Sequence, residues 1–267
     1  MPIDPTGIHV TPFIMGPVFD RKSLPGLVHA DTELLILDYR TDRDAIRPLL
    51  HHCYELGEDP TVSVAFAEYG GVDFLAGNRY RHAAVQIAAR YEGQEDHLDG
   101  AYVLVAFENE TMPIIMGREH LGIPKVYGDI SPIKTLSNGH LRCEASLWGH
   151  LLFGIEAACP SRQTASACQE AGKSFSERPT FGYKFFQSLG GPLDADYPTV
   201  SWADFEIEQM WVGAKGRLYL GSPGEEDIGE FKPIIDALRS LPVREVSQTI
   251  RARGSMVLRY DTCRRLR

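Results

Sequence analysis

Short apolar runs separated by glycine, proline and asparagine recur along most of this chain, and many are rich in β-branched and aromatic residues. Such runs predict β-strands. They are ELLILDY (33–39), TVSVAFA (61–67), HAAVQIAARY (82–91), AYVLVAF (101–107), SWADFEIEQMWV (201–212), RLYL (217–220), VREVSQTIRARG (243–254) and SMVLRY (255–260). Because helices do not regularly alternate with these runs, the pattern excludes a doubly wound parallel sheet. It favours an antiparallel sheet, curled or closed, with a few helices packed on it.

Helical patterns are few. The segment 41–56 has an apolar stripe after the candidate N-caps Thr41 and Asp42, although Pro48 lies inside it. DIGEFKPIIDALRSLP (227–242) predicts a second helix, and MPIIMGREHLG (112–122) predicts a shorter one. Residues 158–200 are rich in turn-forming residues, so we expect them to be loop-rich. We find no linker and expect residues 1–267 to form a single domain.

Charge and cysteine usage limit the possible partners and compartments. The 267 residues carry 27 Lys and Arg against 36 Asp and Glu, which gives a formal net charge of −9. Nucleic acids and anionic membranes select basic surfaces, so we expect neither as a partner. The apolar runs are too short to span a bilayer, and MPIDPTGIHV lacks the pattern of a signal peptide. Five scattered cysteines predict reduced thiols in a cytoplasmic protein, and nine scattered histidines argue against a metal site.

One lysine stands in an unusual setting, within GREHLGIPKVYGDI (117–130). Gly122 and Pro124 restrict the backbone just before Lys125, and its neighbours in sequence are mostly apolar. Loss of hydration in such surroundings lowers the pKa of a lysine, because it disfavours the charged form. The neutral amine can attack a ketone and form an imine, which withdraws electrons from the adjacent carbon. Spacing alone also fits a solvated surface lysine, so the residues leave both interpretations open.

This stretch resembles the GRE–x–x–x–x–PKK signature of acetoacetate decarboxylases, with Lys125 at the Schiff-base position. Two further stretches in the same order are similar to that family: LLILDYRTDRDAIRPLL (34–50), and GRLYL (216–220) followed by LPVREV (241–246). The resemblance implies an α+β, mostly β fold: a single domain whose antiparallel sheet is curled into a cone-like barrel around the lysine. It also implies a homo-oligomer that needs no cofactor, because the lysine itself is the electron sink.

The chain departs from this family at positions that matter for chemistry. Val126 stands where the family has a second lysine, so the cation that helps to lower the amine pKa is missing. By ungapped extension, the family's substrate-site arginine aligns with Thr32, its active-site glutamate with His82, and a second carboxylate with Ala65. This pattern resembles divergent members of the superfamily, some of which are aldolase–dehydratases that act on pyruvate and an aldehyde.

Candidate acid–base groups lie in NRYRH (78–82). If this segment is a strand, alternation places Tyr80 and His82 on one face, toward Lys125. We therefore predict that Lys125, His82 and Tyr80 are catalytic, although a core or rim histidine is an equally good interpretation of His82. The substrate-binding candidates are Thr32, Val126, Arg118 and Glu119. For the last two we favour a structural ion pair that anchors the turn.

Three functions remain open. The leading hypothesis is a lyase that forms an imine between Lys125 and a small keto acid. Its reaction would be decarboxylation of a β-keto acid, other than or in addition to acetoacetate. The alternative is a pyruvate-dependent aldolase–dehydratase, which the replaced arginine and glutamate favour. The third is a protein that binds a carbonyl or apolar ligand without catalysis.

Overall fold

The computed structural model describes residues 9–10, 19–20 and 26–267. Its strands are β1 (His9–Val10), β2 (Phe19–Asp20), β3 (Leu27–Arg40), β4 (Glu55–Leu56), β5 (Thr61–Val72), β6 (Asn78–Glu92), β7 (His97–Glu108), β8 (Lys125–Tyr127), β9 (Asp129–Ile130), β10 (Lys134–Thr135), β11 (Leu141–Leu147), β12 (His150–Ala158), β13 (Ser161–Arg162), β14 (Thr180–Phe186), β15 (Ala195–Ser201), β16 (Ala203–Gly213), β17 (Lys215–Leu220), β18 (Glu245–Leu258) and β19 (Arg264–Arg265). Its α-helices are α1 (Arg43–Ile46), α2 (Thr111–Glu119), α3 (Ala165–Glu177), α4 (Glu225–Ile228) and α5 (Lys232–Arg239). The mostly β, α+β class predicted from the sequence is confirmed.

Two sheets carry most of these strands. The 12-stranded sheet runs in the order β13-β16-β18-β3-β5-β6-β7-β14-β15-β19, with β4 beside β6 and β8 beside β7. The five-stranded sheet runs β10-β11-β12-β17, with β9 beside β11. Most neighbours are antiparallel, as predicted, whereas β14 and β8 each pair with β7 in parallel. Among the described residues the path of the larger sheet does not return to its first strand, so the cone-like barrel is not confirmed.

The larger sheet has two different faces, which β3 illustrates. Because side chains alternate along a strand, Leu35 and Leu37 point to one face and Leu34 and Ile36 to the other. Leu35 and Leu37 are fully buried in the core between the two sheets. Leu34 and Ile36 instead line a cavity on the opposite face. One face of the sheet thus supplies the core, and the other supplies the site.

Two predicted helices differ from the structure. In place of a helix over 41–56, α1 has four residues and a 3₁₀ turn at Arg47–Leu49 follows it. Pro48 lies in that turn, and a proline cannot donate the backbone hydrogen bond of a continuing α-helix. The helix predicted over 227–242 is divided, because Gly229 adopts a positive φ of 52° between α4 and α5. The helix predicted within 112–122 is confirmed as α2, and no helix of the described residues is long and apolar enough to cross a membrane.

The loop-rich character predicted for 158–200 is wrong. This region contains β13, the 13-residue α3, β14 and β15. Thr164 caps α3 by accepting a hydrogen bond from the backbone N–H of Ala167. The packed face of α3 consists of Cys168, Ala171 and Phe175. Because two of these three residues are small, the apolar stripe is weak in the sequence.

Candidate active site

A cavity of about 270 Å³ lies on the face of the larger sheet that turns away from the core. Strands β3, β5, β6 and β7 form its floor, and side chains of β8, α2, α3 and β18 complete its walls. Residues that face one another across the floor strands form rows. The charged row is Leu34, Ala67, His82 and Glu108. The alanine row is Ile36, Ala65, Ala84 and Ala106, and Lys125 is paired with Ala106 from β8.

The turn before β8 directs Lys125 into the cavity. Gly122 adopts a positive φ of 67°, and a Cβ atom there would collide with the backbone of Lys184. After Pro124 the chain pairs in parallel with β7, and Arg118 donates a hydrogen bond to the Lys125 carbonyl oxygen at 3.2 Å. These backbone contacts place the lysine side chain on the cavity face.

Gly117 of α2 provides the path that the Lys125 side chain follows. A Cβ atom at position 117 would overlap the Cδ and Cε atoms of Lys125. The glycine of the GRE motif therefore has a steric function: it lets the aliphatic part of the lysine pass directly over the helix.

Lys125, Glu108 and His82 form a buried charged cluster. Nζ of Lys125 donates to Oε1 of Glu108 at 2.7 Å, and Nδ1 of His82 donates to the same oxygen at 2.9 Å. Their side chains are 14%, 1% and 17% exposed, respectively. Burial alone raises the pKa of Glu108, but the Lys125 ammonium and the His82 hydrogen bond outweigh it, and the pKa of Glu108 is lowered. Glu108 is therefore an ionised counter-ion for the lysine near neutral pH.

The second carboxylate oxygen of Glu108, Oε2, is buried and accepts no hydrogen bond from the described residues. Leaving such an acceptor unsatisfied costs about 1–3 kcal/mol. Glu108 lines the cavity, although its Oε2 atom has almost no accessible surface.

Tyr80 and His29 form a neutral pair beside the charged cluster. Burial lowers the pKa of His29 from 6.5 to about 4, so its ring is neutral near pH 7. Nδ1 of His29 lies 3.1 Å from the Leu27 carbonyl oxygen, which can only accept, so Nδ1 carries the proton. Nε2 of His29 then accepts from the Tyr80 hydroxyl at 3.0 Å. Burial also raises the pKa of Tyr80, so its proton stays on the phenol and is directed at His29.

Three predicted site residues meet in this cavity. Lys125, His82 and Tyr80 all line it, and Tyr80 and His82 share the face that alternation predicts. Ala65, the aligned position of a lost carboxylate, also lines the cavity.

Two substrate-binding candidates, Thr32 and Val126, lie outside the cavity lining. Thr32 is buried, and its hydroxyl donates to the His29 carbonyl oxygen at 3.2 Å. Val126 packs against the core on the opposite face, because neighbouring residues of a strand point in opposite directions. The prediction that these two side chains contact substrate is therefore wrong for this structure.

Arg118 and Glu119 are also outside the cavity lining and are exposed on α2. Arg118 anchors the turn, as expected, but it does so through the Lys125 carbonyl oxygen. Over residues 26–267 no ion pair joins Arg118 to Glu119, so the predicted pair is wrong.

Sequence reasoning missed Glu108 because β7 contains a β-bulge. The register between β6 and β7 shifts after Val85, so one extra residue, Leu104, interrupts the alternation of β7. Alternation from Ala101 would turn Phe107 to the cavity, whereas the bulge turns Glu108 to it instead. A carboxylate directly after the apolar run was the available signal. His29 was missed because β3 begins before its apolar run.

Comparison with known proteins shows the family to which this chain is related. The family model described as acetoacetate decarboxylase (ADC) matches residues 11–262. Acetoacetate decarboxylase of Clostridium botulinum (strain Eklund 17B / Type B) is 26% identical over 245 residues, covering 89% of this chain and 87% of that protein.

Solved structures share the fold. An acetoacetate decarboxylase from Legionella pneumophila has a TM-score of 0.74 at 17% identity and covers 97% of this chain and 98% of that chain. The enduracididine biosynthesis enzyme MppR, complexed with the condensation product of pyruvate and imidazole 4-carboxaldehyde, has a TM-score of 0.72 at 18% identity. That alignment covers 99% of this chain and 97% of MppR. Since the family model spans nearly the whole sequence, the chain belongs to the acetoacetate decarboxylase family.

Proposed function

We propose that this protein is a lyase that forms a Schiff base between Lys125 and the keto group of a small keto acid. The observation that carries the proposal is the buried Lys125–Glu108–His82 cluster inside a cavity that can hold a small molecule. Membership of the family supports a lyase, since the named relatives are acetoacetate decarboxylases.

Imine formation begins with loss of a proton from the Lys125 ammonium, and Oε1 of Glu108 lies 2.7 Å away to accept it. The Nζ–carbon bond then forms while the carbonyl oxygen takes up a proton. That proton comes from the Glu108 carboxyl, and the amine nitrogen then returns a proton to Glu108. Glu108 passes it to the new hydroxyl, which leaves as water. Overall, an ammonium and a ketone give a protonated imine and water, so no net proton is consumed.

In a β-keto acid, the protonated imine withdraws electrons from the bond to the carboxylate. That bond breaks, its electron pair moves into the imine, carbon dioxide leaves and a neutral enamine remains. The enamine carbon then takes up a proton, which His82 in its imidazolium form can donate and regain from water, because the reaction consumes one proton overall. Water finally hydrolyses the imine and releases the ketone and Lys125.

Acetoacetate itself need not be the physiological substrate. Arg178 is the arginine among the described lining residues, and it acts electrostatically on Asp38, not on the charged cluster. The carboxylate of any β-keto acid would therefore have the protonated imine, and no arginine, as its charged partner. Contacts along the rest of the substrate would then decide which β-keto acid is preferred. We propose a β-keto acid other than or in addition to acetoacetate.

The second candidate is a pyruvate-dependent aldolase–dehydratase. The volume of the cavity favours it, because the alanine row continues past Lys125 and leaves room for a second reactant. In this reaction the pyruvate imine loses a carbon-bound proton, and the enamine adds to an aldehyde. The resulting hydroxyl then leaves as water. The similar fold of MppR, which was solved with a condensation product of pyruvate, supports the same alternative.

Borohydride trapping tests the proposal directly. The protein is incubated with pyruvate, acetoacetate and longer keto acids, reduced, and its intact mass is measured, followed by peptide mapping. We expect a covalent adduct on Lys125 in the wild type and none in Lys125→Ala. Lys215→Ala removes an exposed lysine and is the matched control.

The products then separate the functions. Carbon dioxide release identifies the decarboxylase, and condensation with an added aldehyde identifies the aldolase–dehydratase. If no keto acid gives an adduct, a binding protein without catalysis replaces both enzyme functions.

We also propose that the protein is a homo-oligomer that works in the cytoplasm without a nucleic-acid or membrane partner. Size-exclusion chromatography tests the oligomeric state.

A further inference from the structure

The cavity has a second polar end that the proposed chemistry does not use. Asp38, Ser63 and Gln86 face one another across β3, β5 and β6 and line the cavity. We name these three residues the polar row. It lies two positions beyond the alanine row and four positions beyond the charged row along the strands.

This spacing sets a length for whatever fills the cavity. Four residues of a strand extend about 13 Å, so the charged and polar rows are too far apart for a four-carbon keto acid to reach both. Between them, Ala65 and Ala84 present only methyl groups to the cavity. The small residues keep the space between the two polar ends open.

The polar row contains an acid without a charged partner in hydrogen-bond contact. Burial raises the pKa of Asp38, and the Ser63 hydrogen bond and the Arg178 charge only partly oppose this. No ion pair of the described residues includes Asp38 or Arg178. A carboxylate offers about four acceptor sites, so the Ser63 hydrogen bond leaves Asp38 able to accept from a ligand in the cavity.

We propose that the polar row is a second subsite, which binds a hydrogen-bond donor at the far end of a keto acid attached to Lys125. The donor is a hydroxyl or an ammonium group, and Asp38 accepts from it while Gln86 and Ser63 complete its contacts. The substrate is accordingly longer than acetoacetate and has a polar end. This inference rests on the proposed imine at Lys125.

The experiment compares seven-carbon 2-keto acids that end in a methyl, a hydroxyl or an ammonium group. The apparent affinity of each is measured by borohydride trapping over a concentration series, with pyruvate as the short reference. We expect at least one polar-ended acid to bind about tenfold to hundredfold more tightly than the methyl-ended acid, as a hydrogen bond to a charged group would give.

Variants locate the effect. Asp38→Asn should abolish the preference for the ammonium acid and weaken that for the hydroxyl acid, because the amide still accepts but carries no charge. Ala65→Leu should block the passage, so that pyruvate is still trapped while the long acids lose affinity. Asp31→Asn, on the same strand but paired with Arg79 outside this cavity, is the control and should change neither.

The outcomes distinguish a failure of the proposed imine from a failure of the second subsite. No adduct with pyruvate or any other acid overturns the proposed imine. An adduct with pyruvate, but equal affinity for all three long acids, overturns the second subsite alone. The second subsite is also overturned if Asp38→Asn leaves the preference for the polar-ended acids unchanged.

Discussion

Exchange of Glu108 for glutamine tests whether the buried charged cluster is held together by its charges. Glu108→Gln keeps the shape of the side chain but removes the charge that neutralises Lys125 at 2.7 Å. The side chains of Lys125 and Glu108 are only 14% and 1% exposed, so water screens the remaining ammonium only in part. Removal of one partner from a buried ion pair costs about 3–5 kcal/mol. We expect a decrease of that size in the free energy of unfolding, and a similar one for Lys125→Met.

The double variant supplies the decisive measurement. Glu108→Gln with Lys125→Met leaves no unpaired charge, so its loss should be smaller than the sum of the two single losses by about 2 kcal/mol or more. Urea denaturation of all four proteins at the same pH gives these values. If the two single losses add to the double loss within about 0.5 kcal/mol, the charges of Lys125 and Glu108 do not hold the cluster together.

An exposed pair provides the control for this cycle. Lys232 and Asp236 lie 2.6 Å apart on α5, but Asp236 is 50% exposed. The same substitutions there should give a coupling below about 0.5 kcal/mol.

The contribution of Glu108 to stability depends on pH with a defined sign. Because the pKa of Glu108 is lowered, this contribution is complete above its ordinary pKa of 4.5 and is lost as the pH falls below it. The difference between wild type and Glu108→Gln should therefore shrink in acid.

Three further substitutions test other parts of the site. Burial lowers the pKa of His29 from 6.5 to about 4, so the unfolded chain binds a proton first as the pH falls, and the wild type should lose about 3 kcal/mol of unfolding free energy between these pH values. His29→Gln should lose less over the same range in denaturation experiments, and an equal loss would contradict this. Gly117→Ala should reduce trapping at Lys125 by about tenfold or more without lowering helix stability, because its methyl group displaces the lysine; unchanged trapping kinetics would argue against the steric role. Val126→Lys should lower the melting temperature and leave the pH–rate profile unchanged, because residue 126 faces the core; a shifted profile would place it in the site.

The fold was predictable where local pattern and tertiary packing agree. AYVLVAF (101–107) and TVSVAFA (61–67) are apolar enough to indicate buried strands, and both lie in the centre of the larger sheet. The wrong predictions concern segments in which the apolar pattern does not report the structure that forms. Pro48 ends a helix that its apolar neighbours suggest, and α3 packs through small residues that give a weak periodicity. Closure of the sheet depends on long-range pairing, which no local pattern reports.

The site was predictable only in part, for a similar reason. Lys125 stands in a motif, and Tyr80 and His82 follow the simple alternation of β6. Glu108 depends on a bulge, which reverses the alternation and cannot be read from the run that contains it. Thr32 was selected by alignment alone, and its hydroxyl is committed to the backbone of β3.

Charge balance during the proposed reaction gives His82 a role that differs from that of Glu108. Glu108 stabilises the ammonium and the protonated imine alike, since both carry one positive charge beside it. When the carbon–carbon bond breaks, the enamine is neutral and Glu108 loses its counter-ion, so a second proton in the cluster must compensate. His82 donates to Glu108 through Nδ1 at 2.9 Å, so in its imidazolium form it would balance the Glu108 charge and carry a second proton, on Nε2, for the enamine carbon.

His82→Gln separates these two roles, because the glutamine amide can still donate to Glu108 but cannot transfer a proton. We expect borohydride trapping with pyruvate to remain close to the wild-type level, since Lys125 and Glu108 are intact. Turnover should fall by about 10²–10⁴, the usual contribution of a general acid. Carbon dioxide release and incorporation of deuterium from heavy water into the product measure the second effect. If trapping and turnover decrease by the same factor, His82 supports the position of Glu108 and does not donate the proton.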